Sequence, residues 1–142
     1  MVVSKAVINA RLRKLRDCLA NLRTIRDTTT LDQYLHNAIL QSAVERNIQV
    51  AIQCMLDIGN HIIAEDEFRP PEDNEDILEI LSSAKIISRE FFQKIKGIGG
   101  FRNILVHNYL DIDSEKVYGY LEGDIDDFEQ FAKFIIDYLA RT

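Results

Sequence analysis

The sequence predicts an all-α fold: a helical bundle of about five to seven helices, in one domain over residues 1–142. Three observations carry that prediction. Apolar residues recur at steps of three and four in successive segments, the period of an amphipathic helix. No segment alternates with period two between hairpin turns. Only two prolines interrupt a chain that is 46% hydrophobic and 28% charged, an ordinary globular balance long enough to bury a sizeable core.

Taken in order, the first segment places Ile8, Leu12, Leu15, Leu19, Leu22 and Ile25 on one stripe, with lysines and arginines on the other faces. It is expected to end between Arg26 and Thr29, where β-branched threonines accumulate. A second helix opens at "TLDQ", where Thr30 caps and Gln33 takes the reciprocal capping-box position. It is predicted to run to about Glu65, with two apolar rows. One holds Leu40, Val44, Ile48, Ala51, Met55, Ile58 and Ile62; the other holds Leu35, Ile39, Ala43, Val50 and Cys54. "EDEFRPPEDNED" breaks the pattern with two prolines in an acidic loop. Short helices follow from about Glu75 to Ala84, and over "REFFQKIK" after a Ser88 cap and before Gly97. The next is expected from Phe101 to Asn108, with Gly99 and Gly100 bending the chain into it. Another is capped near Asp113 or Ser114, and the last runs from Ile125 to about Ala140.

Charge and cysteine usage narrow the function classes. The start has no apolar run of signal-peptide or membrane-span length, so the expected location is the cytoplasm. Cys18 and Cys54 fall in apolar helical patterns and read as buried free thiols. The net charge is −6, yet seven bases and two aspartates before residue 28 leave a local +5 against −11 elsewhere. Such a helix offers phosphates one basic face, or it pairs with an acidic neighbour within the fold.

Most motif candidates are weak. "KGIGG" lacks the preceding strand and the following Gly-Lys-Ser/Thr of a phosphate loop. His36, His61 and His107 are too dispersed to suggest zinc, so no metal site is expected. "GGFRNILVHNYL" is different, because it sets Arg102, His107 and Tyr109 into an apolar run. Imidazole moves protons near neutrality, and guanidinium holds phosphoryl oxygens as charge develops. A histidine on an apolar helix also commonly serves only to satisfy a carbonyl. On a straight helix Arg102 and His107 lie about 140° apart, whereas Arg102 and Tyr109 nearly eclipse. Either His107 falls in a loosened last turn, or two copies of the helix pool their residues.

Arg102, His107 and Tyr109 spell R-x4-H-x-Y, with Asn103 directly after the arginine. With "LDIGNHII", "GFRNILVH" and "VYGYLEGDIDDFEQFAKFI", this resembles the HepT-like toxins, a branch of the HEPN superfamily. The resemblance covers most of the chain and is weakest over the first thirty residues. It implies a HEPN-like bundle that dimerises around the motif helix, as the toxin of a prokaryotic type VII-like toxin–antitoxin pair. The implied activity is an endoribonuclease acting on tRNA or mRNA, with no metal or cofactor of its own. Arg102 would hold the scissile phosphate, His107 would act as general base or acid, and Asn103 would orient the site. The implied partner is a minimal nucleotidyltransferase antitoxin, which uses ATP to add AMP to Tyr109.

The polar line Arg46, Gln49, Gln53, Asp57 and His61 on the long helix has two readings. It is a solvated or ordinary polar stripe, or it faces the partner subunit, where Arg46, Gln49, Asp57 and His61 support the cleft or contact the antitoxin. The rival functions are a non-catalytic HEPN module that binds nucleotide or a partner, and a structural bundle whose triplet is only a polar network.

Overall fold

The computed structural model describes residues 4–142. Eight α-helical segments and one 3-10 turn account for most of them, and no strand occurs among them. Helix α1 (Lys5–Thr28) buries Ile8, Leu12, Leu15, Leu19 and Leu22, the expected stripe, and Ile25 packs on its edge.

The long second helix is divided. The Thr30 capping box forms, with the Gln33 amide donating to Thr30 Oγ1 at 3.2 Å and Thr30 N–H donating to Gln33 Oε1 at 3.0 Å. It caps only α2 (Leu31–Leu35), and the helix restarts as α3 (Ala38–Glu65). The physical reason is Asn37, whose Oδ1 accepts the Leu40 amide at 3.0 Å and so competes with helix continuation. The break also leaves Ile39, expected on an apolar row, 84% exposed. Farther along, Val44, Ile48, Ala51, Met55, Ile58 and Ile62 are buried as the spacing predicts.

Helix α3 returns antiparallel to α1, with Asn21 Nδ2 donating to Asn47 Oδ1 at 3.1 Å. It also packs against α4 (Asn74–Ser83), and Gly59 permits the close approach. A Cβ there would fall 2.5 Å from Ile77 Cγ2 and 3.3 Å from Leu81 Cδ1. Helix α4 ends in a Schellman turn with Lys85 at the left-handed position, φ 61°. Ile86 N–H donates to the Leu81 carbonyl at 2.9 Å and Lys85 N–H to that of Ser82 at 3.0 Å.

Ser88 Oγ accepts the Phe91 amide and caps α5 (Arg89–Ile95). Helix α6 (Ile98–His107) lies on α3 and α4. The 3-10 turn Tyr109–Asp111 leads to α7 (Ser114–Gly123), capped by Asp113, and to α8 (Asp127–Arg141). Phe128, Phe131, Ala132, Ile135 and Leu139 of α8 complete the core. Cys18 and Cys54 are free and buried, and burial pushes the Cys54 thiol up to about 11. No described helix is long and apolar enough to cross a membrane.

Candidate active site

Helix α6 begins earlier than its composition suggests. Only Gly97 bends the chain, at φ 95°; Gly99 and Gly100 lie inside the first turn. The Glu75 carboxylate of α4 stabilises that turn, with Oε1 accepting the amides of both Gly97 and Gly99 at 3.0 Å. A carboxylate at a helix N-terminus satisfies donors that the helix itself leaves unpaired. The glycine cluster therefore sets the start of α6, with two of its amides taken by Glu75. The sequence marks Glu75 only as the start of a helix, because its partner Gly99 lies twenty-four residues away.

Arg102 and Asn103 meet in the middle of α6. Arg102 Nη1 donates to Asn103 Oδ1 at 3.2 Å. Arg102 Nε is buried and has no hydrogen-bond partner among the described residues. Arg102 is half-buried and forms no ion pair among the described residues, so most of its donor capacity is free for an anion.

His107 is the last residue of α6 and is exposed. The helix stays regular up to it, since Asn108 N–H still donates to the Ile104 carbonyl at 3.0 Å. The last turn is therefore not loosened, and Arg102 and His107 keep their helical separation of about 140°. Tyr109 lies just past the helix, as the expected end near Asn108 implies. Asn108, at φ −118° and ψ 42°, ends the helix, so Tyr109 opens the 3-10 turn and does not stack over Arg102. Tyr109 is 68% exposed. Ile104, Tyr109 and Leu110 are three exposed large apolar side chains clustered at this end of the helix, Leu110 at 87%. Clustered apolar exposure of this kind marks an interaction surface more often than chance scatter does.

The polar line on α3 resolves only in part. Asp57 Oδ1 accepts from Gln53 Nε2 at 2.7 Å, so these two satisfy each other one turn apart. Arg46 is exposed, and His61 is half-buried with Nε2 unpartnered among the described residues. No hydrogen bond or ion pair among the described residues links Arg46, Asp57 or His61 to Arg102, Asn103 or His107. No described group of three His, Cys, Asp or Glu is arranged to hold a metal ion.

The N-terminal cations divide between the two readings. Arg16 pairs with Glu129 at 2.9 Å and Arg23 with Asp126 at 2.7 Å, while Arg26 reaches Asp27 and Asp126. The acidic start of α8 thus neutralises three of the seven, and the Arg23 guanidinium holds the Asp126 carboxyl below its usual range. Lys5, Arg11, Arg13 and Lys14 are exposed and have no ion pair among the described residues.

Residues 15–135 match the family model described as "Ribonuclease HepT-like". The mRNA nuclease HepT of Shewanella oneidensis is 29% identical over 103 residues, 72% of this chain and 77% of that protein. The tRNA nuclease HepT of Aphanizomenon flos-aquae is 27% identical over 137 residues, 96% of this chain and 92% of that protein. Among solved structures, a tri-AMPylated Shewanella oneidensis HEPN toxin in complex with MNT antitoxin superposes with a TM-score of 0.85. It is 24% identical, and the match covers 94% of this chain and 99% of that one.

Proposed function

The chain belongs to the HepT-like ribonuclease family, and on that footing we propose that it is a metal-independent endoribonuclease toxin with its site at Arg102 and His107. The observation that carries the reading is the geometry of α6. An arginine with free donors is hydrogen-bonded to Asn103, and an exposed histidine ends the same regular helix. The angular separation of the two, with the exposed Ile104 and Leu110 beside them, supports a homodimer in which two copies of α6 face each other.

In that arrangement Arg102 binds the non-bridging oxygens of the scissile phosphate, and Asn103 fixes its plane. The RNA 2′-oxygen attacks phosphorus as its proton passes to a His107 imidazole. The bond to the 5′-oxygen breaks, and that oxygen takes a proton from an imidazolium or from water. The products are a 2′,3′-cyclic phosphate and a 5′-hydroxyl. The nucleophile comes from the substrate, so the step needs no metal-bound water. General acid–base catalysis of this kind contributes about 10²–10⁴-fold.

The AMPylated relative supports a matching control point at the exposed Tyr109. A minimal nucleotidyltransferase antitoxin would catalyse attack of Tyr109 Oη on the α-phosphorus of ATP. Pyrophosphate leaves and the phenolic proton is released. Each added AMP brings a negative phosphodiester and a bulky base beside His107, which repels and obstructs RNA. A substrate RNA and an antitoxin that uses ATP support a cytoplasmic location for the pair. The test is RNA end-sequencing after brief induction, with His107→Ala as control. Growth arrest and new cleavage ends are expected from the wild type alone, and arrest persisting in His107→Ala would overturn the reading.

A further inference from the structure

Between α6, the 3-10 turn, α7 and the start of α8 lies a cleft of about 530 Å³, within the range of small-molecule sites. Its floor is aromatic: the Phe101 and Tyr120 rings stand 5.1 Å apart at 51°. The Tyr120 hydroxyl is buried and has no hydrogen-bond partner among the described residues, which is rare for so polar an atom. Burial and the nearby Asp127 and Asp124 push its pKa up, so it stays a donor.

Gly119 is the second unusual feature. It lies within α7, where glycine weakens a helix, and no other atom comes within 4 Å of where its Cβ would be. No packing requirement explains it, and it lines the cleft with free space where a side chain would begin. The rim carries Lys96 and Lys116, both exposed and without an ion pair among the described residues. Lys94 is held by Asp127 at 2.8 Å, and Asp113 is committed to the α7 amides. Asp111 and Asp124 remain as acceptors at the mouth.

Those groups match one chemistry: an aromatic base for the floor, an exocyclic amine for the carboxylates and phosphate for the lysines. The cleft also adjoins Tyr109, because Asp111 and Ile112, two and three residues later on the same turn, form part of its wall. We propose that this cleft is the docking site for the adenylyl group carried by Tyr109. The proposal rests on the modification reading above and adds where the nucleotide goes. A ligand tethered to the adjoining turn has an effective concentration of about millimolar, so modest intrinsic affinity fills the site. Docking draws the 3-10 turn against α7 and fixes the added phosphate beside His107. Closure then follows from a bound nucleotide as well as from its charge.

Two measurements separate this proposal from its premise. First, 5′-AMP is titrated to millimolar concentration into the unmodified protein and followed by amide NMR. The resonances of Ile112, Gly119 and Tyr120 should shift, and Gly119→Phe, which fills the cleft, should abolish the shifts while its helical circular dichroism is retained. Absence of shifts in the wild type overturns the docking site whether or not Tyr109 is ever modified. Second, protein treated with the nucleotidyltransferase and ATP is located by mass spectrometry as adenylylated at Tyr109, a result on which the premise alone depends. In that species the adenine protons should show NOEs to the Ile112 and Val117 methyls, lost in modified Gly119→Phe. Adenine protons with no NOE to the cleft in the modified wild type would overturn the proposal and leave the modification reading standing.

Discussion

Glu75 Oε1 accepts the Gly99 amide at 3.0 Å, so a carboxylate on α4 holds the first turn of the helix that carries Arg102 and His107. The same oxygen takes the Gly97 amide, and Gly97 is the point where the chain reverses into α6. The start of the helix that carries the candidate site is therefore held by a side chain of another helix.

Glu75→Ala removes the acceptor for both amides and should cost about 1–2 kcal/mol, the scale of a lost helix cap. Glu75→Gln keeps one carbonyl oxygen and should lose less. Chemical denaturation gives the stability change. RNA cleavage by Glu75→Ala, measured where the protein remains folded, should fall while Glu75→Gln retains most of it.

Gly99 and Gly100 are adjacent in the sequence but should respond oppositely to alanine. At Gly99 a Cβ would sit 3.0 Å from Asn74 Cβ and 3.3 Å from Glu75 Oε1, so α4 must move. At Gly100 nothing lies within 4 Å. Gly100→Ala should stabilise by about 0.5–1 kcal/mol through helix propensity. Gly99→Ala should destabilise, by about 1 kcal/mol or more from the forced shift. Thermal melts of the two variants check the signs directly.

Asp76 supplies a pH dependence. Arg69 binds its carboxylate at 2.6 and 2.7 Å, the Glu72 amide adds a third hydrogen bond, and the pKa is held at about 2 against an ordinary 3.8. A folded-state value below the unfolded one stabilises above the unfolded pKa and ceases to do so as pH falls through the folded one. The contribution should thus be complete above about pH 4 and fade towards pH 2. In Arg69→Ala the Asp76 carboxyl should titrate closer to 3.8, as followed by side-chain NMR.

The fold was largely legible because a 3.6-residue period is a local property. Leu12, Leu15, Leu19 and Leu22, or Phe128, Phe131 and Ile135, announce their buried face without reference to any other segment. What escaped was set by short polar side chains or by contacts distant in sequence. Asn37 breaks the long helix by capping Leu40, a competition that apolar spacing does not reveal. Glu75 reaches Gly99 across twenty-four residues, and Arg16 finds Glu129 across more than a hundred. At the site, the divergence of Arg102 and His107 followed from helical geometry alone. The position of Tyr109 past the helix end was legible too, since α6 was expected to end about Asn108 and ends at His107.

Arg102 and His107 acting from two copies of α6 should allow one chain to supply what the other lacks. The most direct measurement is complementation between inactive variants. Arg102→Ala and His107→Ala, each inactive alone, are refolded together from a denatured mixture, and release of 2′,3′-cyclic phosphate ends is assayed with EDTA present. Mixed dimers combine an intact arginine on one chain with an intact histidine on the other, so activity should return to a substantial fraction of wild type. A mixture as inactive as its two components, with exchange of subunits demonstrated, would rule out a site shared between two copies of α6.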